Sequence, residues 1–252
     1  MPRHLTILTG ASRGLGLAIA RQLLASPDCT LLCISRSTNA GLTALADATG
    51  ATLEQWTCDL ADGAGAAQTL ASWLQIHAAN SWDSATLINN AGVISALAPL
   101  RLGNLADMTQ ALRVGVEAPL LLCSAFLGAT QDWTAPRKVL NISSGLGRRA
   151  MASSATYCAS KAGMDHFTRC MALEEALLPN GAKVCSLAPG VIDTDMQDQL
   201  RHADASLFPD RALFEGMHVN GQLSSPADCS ARVLAYLARA DFGSQAVGDV
   251  RE

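Results

Sequence analysis

The sequence predicts an α/β fold, a doubly wound and mostly parallel sheet in three layers, helix–sheet–helix. Three observations predict it. Short apolar runs alternate with longer amphipathic runs along the whole chain, the pattern left by strand–helix–strand crossovers. No Pro/Gly/Ser linker and no internal repeat interrupts them, so residues 1–252 are expected to form a single domain. Apolar residues make up 49% and charged residues 16%, which suits a compact globular chain; with 4% aromatics its core has to be aliphatic.

"HLTILTG" (4–10) reads as a buried strand running into a glycine turn, and "LGLAIARQLLAS" (15–26) has helical periodicity. "CTLLCIS" (29–35) is a second strand, and "NAGLTALADATG" (39–50) a helix stopped by Gly50. A third strand is expected in "ATLEQWTCDL" (51–60), a helix in 65–80, and a fourth strand in "SATLINNAG" (84–92), which ends in a polar turn. A long helix follows over 105–129, then a fifth strand, "RKVLNISSG" (137–145). Residues 154–178 read as another long helix and "AKVCSLAPG" (182–190) as the sixth strand. The stretch 190–222 is polar and irregular. In "SPADCSARVLAYLARA" (225–240), Ser225 and Pro226 suit an N-cap and first helical position. "SQAVGDV" (244–250) suits a short last strand.

The totals narrow the function. A net charge of −4 and no Lys/Arg-rich run argue against nucleic acid and against a basic membrane surface. No uninterrupted apolar run reaches the ~18 residues of a membrane span, and no leader-like segment precedes the first glycine, so a cytoplasmic protein is expected. Eight scattered cysteines form no CxxC pair and no Cys/His cluster of metal spacing; they read as free thiols, and no metal is expected.

Two stretches carry chemistry. Thr9-Gly10-Ala11-Ser12-Arg13-Gly14-Leu15-Gly16 sits between a strand and a helix. Glycines there let the backbone approach a phosphate, and the helix N-terminus offers free N–H groups. At the end of the second strand, where an NAD site places an acid, the chain has Ser35-Arg36. A guanidinium grips a 2′-phosphate that a carboxylate would repel, so Arg36, with Arg13, favours NADP(H). Tyr157 and Lys161, at i and i+4, share a helix face. An ammonium beside the phenol would lower its pKa and fit it for proton exchange.

These residues resemble the short-chain dehydrogenase/reductase family in its short, single-domain form. TGASRGLG (9–16), CDL (58–60), NNAG (89–92), NISSG (141–145), YCASK (157–161) and PGVIDT (189–194) occur in that family's order and span nearly the whole chain. The resemblance implies a Rossmann fold and hydride transfer without a metal. It implies Ser144 as donor to the substrate oxygen, Tyr157 as general acid/base, and Lys161 as the group that tunes the tyrosine and bonds the nicotinamide ribose. It places Asp59 and Leu60 at the adenine, Asn90, Ala91 and Gly92 along the adenosine and ribose, and Pro189, Gly190, Ile192 and Thr194 at the nicotinamide. Family members commonly pair through the two long helices, so a homodimer or homotetramer is expected, with Ala162, Met164, Phe167 and Met171 at the contact.

The family usually carries an asparagine in the helix before the serine strand, where it opens the helix around a water. Here that position falls on Gly115, and an altered proton relay is expected. "PGVIDTDMQ", "FPDRALF" and the chain end resemble sepiapterin reductases and bacterial benzil-reductase-like proteins, which makes Asp249 a candidate substrate anchor. The segment 190–222 is expected to cap the substrate with Met196, Leu200, Leu207, Phe208, Leu213, Phe214 and Met217. His166, His202 and His218 are expected outside the chemistry. The reading is therefore an NADPH-dependent reductase of a small-molecule carbonyl: a ketone, a diketone or a pterin side chain. Its rivals are a non-catalytic NADP(H)-binding sensor or scaffold, supported by Gly115; a 3-ketoacyl carrier-protein reductase, supported by Arg148 and Arg149; and an NAD-linked alcohol dehydrogenase, opposed by Ser35-Arg36.

Overall fold

The structure, a computed structural model, describes residues 3–77 and 82–251. Seven parallel strands form one sheet in the order β3-β2-β1-β4-β5-β6-β7: β1 (His4–Thr9), β2 (Cys29–Ser35), β3 (Thr52–Thr57), β4 (Ser84–Asn89), β5 (Arg137–Ile142), β6 (Lys183–Ala188) and β7 (Val247–Asp249). On one face α1 (Gly14–Leu23), α2 (Ala40–Thr49) and α9 (Pro226–Ala238) cover Leu8, Leu31, Ile88, Leu140 and Leu187. On the other, α3 (Gly63–Ile76), α4 (Leu105–Leu112), α5 (Ala118–Ala129) and α6 (Ala155–Glu175) cover Ile7, Leu32, Leu87, Val139 and Val184. Each of these aliphatic side chains contributes roughly 1.5–3 kcal/mol by leaving water.

The helix ends follow from the sequence. Ser225 Oγ accepts from Asp228 N at 3.0 Å and donates to Asp228 Oδ2 at 2.7 Å, so cap and first turn satisfy each other. Gly50 closes α2 in the left-handed region, at φ 77°. The 65–80 expectation is met up to Ile76; residues 78–80 lie outside the described residues.

Two expectations differ. The 105–129 helix is not regular: residues Arg113–Glu117 form a π-helical turn between α4 and α5. By length and composition Leu105–Ala129 is apolar enough to cross a bilayer. Here Ala118, Leu122, Cys123 and Phe126 pack it into the core. The segment 190–222 also holds two short helices, α7 (Asp195–Arg201) and α8 (Arg211–Val219), seated on an apolar cluster of Met151, Leu200, Phe208 and Phe214. All eight cysteines are free, five of them buried.

Replacing Ser225 with Ala should cost ~1 kcal/mol of unfolding free energy, the usual value of a lost N-cap. Urea denaturation followed by circular dichroism measures it.

Candidate active site

The glycine turn, CDL, NNAG, NISSG and PGVIDT each stand at the carboxyl end of a strand, YCASK lies on the helix α6, and together they line one cleft of about 710 Å³. Strand order reverses between β1 and β4, and a parallel sheet opens a ligand crevice at such a point. The two loops there are tied atom to atom. Thr9 Oγ1 accepts from Asn90 N and Ala91 N, each at 3.0 Å, and Asn90 Nδ2 donates to Thr9 O at 3.0 Å. Gly10 has φ 72°. A Cβ on Gly16 would run into Gly10 O and Asn90 Nδ2, so glycine is required for α1 to begin so close to the strand. Ser35 Oγ holds the turn from the other side, accepting from Ala11 N at 2.8 Å.

The cleft is lined by Gly10, Ser12, Arg13, Gly14, Leu15, Gly16, Arg36, Asp59, Leu60, Asn90, Ala91 and Gly92 toward the glycine-turn end. Ser144, Tyr157, Lys161, Pro189, Gly190, Ile192 and Thr194 line it as well. Arg36 is exposed beside Ser35. Arg13 Nη1 donates to Asp195 Oδ2 at 2.9 Å, a solvent-exposed pair across the cleft mouth that is worth little on its own.

Tyr157 and Lys161 stand in the first two turns of α6 with Lys161 Nζ 5.7 Å from the phenol ring centre. Lys161 is 4% exposed, and its ammonium donates to Ile142 O at 2.7 Å. Burial pulls it down to about 8, against partial support from Asp165. Burial likewise pushes the Tyr157 phenol above its ordinary value, opposed by a hydrogen bond from Ser144. The lowering expected from the lysine does not emerge; desolvation dominates and the phenol is shifted upward. Ser144 Oγ is fixed by Leu146 N at 3.1 Å. Its neighbour Ser143, buried on the cleft wall, leaves its hydroxyl without a partner among the described residues.

Of the expected cap, Met196, Leu200, Phe214 and Met217 reach the cleft. Leu207, Phe208 and Leu213 do not: Phe208 is fully buried in the cluster beneath, Leu213 is exposed, and Leu207 O accepts from Ser153 Oγ. Asp249 lines the cleft but is held bidentately by Arg251, Nη2–Oδ2 at 2.6 Å and Nε–Oδ1 at 2.7 Å. His166, His202 and His218 are exposed and do not line it. Met164 and Met171, expected at a subunit contact, are core residues. Sequence reasoning missed Gln197, which is 5% exposed on the cleft wall, and Arg251; Gln197 ends the quoted PGVIDTDMQ stretch, but nothing in that stretch marks it as facing the cleft, and Arg251 lies in no motif.

Gly115 lies in the π turn, and a Cβ there would stand 2.9 Å from both Cβ and Oγ of Ser160 on α6. The helix opens at this point without an asparagine, and the residue is glycine because α6 presses on it. Arg148 is also taken up, by Asp165 and by Gly248 O, so of Arg148 and Arg149 it is Arg149 that lines the cleft.

A doubly wound parallel sheet with a glycine-lined crevice at its switch point defines a Rossmann-type α/β protein. Residues 4–205 match the short chain dehydrogenase family, and the chain belongs to it, an oxidoreductase family. It is 33% identical to a benzil reductase ((S)-benzoin forming) from Bacillus cereus over 236 residues, 94% of each chain. It is 30% identical to sepiapterin reductase from Rattus norvegicus over 251 residues, 95% of this chain and 93% of that one. A short-chain dehydrogenase/reductase of known structure from Burkholderia vietnamiensis is 31% identical, with TM-score 0.65 and full coverage of both chains.

Gly115→Asn should destabilise the protein by about 1–3 kcal/mol, the usual cost of overpacking. Adding Ser160→Gly should recover part of that loss, as chemical denaturation of the single and double variants would show.

Proposed function

We propose that the protein is an NADPH-dependent carbonyl reductase acting on an apolar ketone or diketone. The observation that carries the reading is the convergence of Ser144, Tyr157 and Lys161 on one cleft with the glycine turn. Relatives named for the reduction of benzil and of sepiapterin support it. The residues fit a dinucleotide, since Gly10 and Gly16 leave backbone where side chains would block a phosphate. Asp59 and Leu60, with Asn90, Ala91 and Gly92, line the adenosine side. Pro189, Gly190, Ile192 and Thr194 line the nicotinamide side. When bound, the nicotinamide supplies hydride to the carbonyl carbon.

The chain's own residues manage the proton. Ser144 donates to the carbonyl oxygen, and Tyr157 Oη gives that oxygen its proton. A phenol raised by burial is protonated at neutral pH, which suits reduction. Lys161 holds positive charge beside the phenol and stabilises the phenolate left behind. Arg36 receives the 2′-phosphate, and Arg13 joins it by leaving Asp195. Residues 190–222 act as a lid within the one domain, bringing Met196, Leu200, Phe214 and Met217 to the substrate. With Asp249 engaged by Arg251, a diketone is favoured over a substrate anchored through amino groups. Gly115 is accounted for by packing, so it lends a non-catalytic sensor no support. Pairing of two copies through the α4–α5 and α6 faces, where Leu105, Leu120 and Leu173 are exposed, belongs to the same reading.

NADPH oxidation measured against a panel of diketones, quinones and pterins tests the activity; cofactor binding without turnover across the panel would overturn it. Tyr157→Phe should lower turnover by about 10²–10⁴-fold while NADPH still binds. Arg36→Ala should reduce the NADPH-to-NADH ratio of kcat/KM by about tenfold, one lost charge-assisted hydrogen bond.

A further inference from the structure

Asp165 carries a buried carboxylate that the chemistry above leaves unused. It is 1% exposed and sits one turn beyond Lys161 on the same face of α6. Three elements converge on it. Ser186 of β6 donates to Oδ1 at 2.7 Å. Arg148 Nε donates to Oδ2 at 3.3 Å, and the same guanidinium donates through Nη2 to Gly248 O of β7 at 2.7 Å. Arg148 lies four residues after Ser144, at the end of the 3₁₀ turn Gly145–Gly147. That turn lies hard against α6: a Cβ on Gly147 would be 2.9 Å from Asp165 Oδ2 and from Lys161 O. The Arg148–Asp165 pair therefore fastens the segment bearing Ser144 to the helix bearing Tyr157 and Lys161.

Among the described residues, little else surrounds Lys161 to hold its charge. Facing it are the Tyr157 ring on α6, the Ile142 carbonyl on β5 and the backbone of Gly92 after β4. Among the described residues the charged group that acts on it is Asp165, one turn along α6, which is itself paired with the Arg148 guanidinium. Asp165 is the acid that raises Lys161 against its burial.

We propose that Asp165 is a positioning residue for the catalytic pair: it bolts the serine turn to α6 and supplies the counter-charge that keeps the buried Lys161 an ammonium. This deepens the reductase reading and rests on it for its catalytic meaning, but its central test needs no turnover. The chain has three lysines, Lys138, Lys161 and Lys183. In protein labelled with ¹³C at lysine Cε, the Lys161 resonance is the one missing from Lys161→Arg, and its pH titration reads the ammonium directly.

The unaltered protein should show a midpoint near 8, where burial pulling it down and Asp165 pulling it up leave it. Asp165→Asn should lower it by about one unit, the low end for loss of a close counter-charge. Arg148→Met removes a competing cation and should raise it. In the same variants the high-pH limb of NADPH-dependent diketone reduction should move the same way, since a lysine deprotonated earlier fails the phenol at lower pH. An unmoved Lys161 midpoint in folded Asp165→Asn, or a midpoint that does not rise in Arg148→Met, would overturn the proposal. If Asp165→Asn does not fold, Arg148→Met decides alone. A protein that titrates as expected but reduces no carbonyl would instead overturn the reductase reading.

Discussion

The cleft depends on the lock between the carboxyl ends of β1 and β4. A parallel sheet whose connections diverge there has to leave a gap, and Thr9 and Asn90 fix its width by hydrogen-bonding to each other's loops. Glycine at 10 and 16 is the steric condition for that lock, because a methyl group at 16 meets the turn carbonyl and the Asn90 amide. Once the gap is set, the remaining strands deliver their ends to the same rim in sheet order. Asp59 arrives from β3, Ser144 from beyond β5, Ile192 and Thr194 from beyond β6, and Asp249 from β7.

Burial sets the electrostatics of the rim. An aliphatic core brings low dielectric up to Lys161 and Tyr157, so one charge is disfavoured and one phenol kept neutral. A buried ammonium survives only with partners, and here these are a strand-end carbonyl and, one helical turn away, a carboxylate. A second polar seam runs beside it. Asn89 Nδ2 donates to Asn141 Oδ1, and Asn141 Nδ2 donates to Thr168 Oγ1, joining β4, β5 and α6 at 2.9 Å each. In that position a buried amide–hydroxyl chain, which leaves only Asn89 Oδ1 without a partner among the described residues, fixes the register of α6 against the sheet, and with it the height of Tyr157 above the cleft.

What the sequence made legible was whatever local chemistry dictates. β2 is bounded as read, Ser225 caps α9, Gly50 ends α2, and the glycine turn stands between strand and helix. Every residue expected for catalysis or cofactor binding lines the one cleft: most follow a strand and are carried to the sheet's carboxyl edge, while Tyr157 and Lys161 arrive on α6. Contacts distant in sequence were illegible. Nothing around Gly115 announces that Ser160 will press on it. The two helices in 190–222 are too short to declare themselves by periodicity and depend on tertiary packing around Phe208 and Phe214. The upward shift of Tyr157 was equally illegible, because an i, i+4 spacing reveals the neighbour but not the depth of burial. Nothing in the sequence marks the burial of Asp165 either.

The π turn shows how such a contact substitutes for a missing residue. A π turn carries one residue more than an α turn over the same rise, and it forms where something outside the helix makes the extra residue worthwhile. Here that is the approach of α6: without side-chain atoms at 115, α4–α5 settles onto Ser160, one residue from Lys161. Ser160 in turn satisfies its hydroxyl on Thr156 O at 2.9 Å, within its own helix, so it asks nothing of the facing chain. The helix interruption at this place therefore follows from close packing against the lysine-bearing helix, and it needs no asparagine side chain to hold it open.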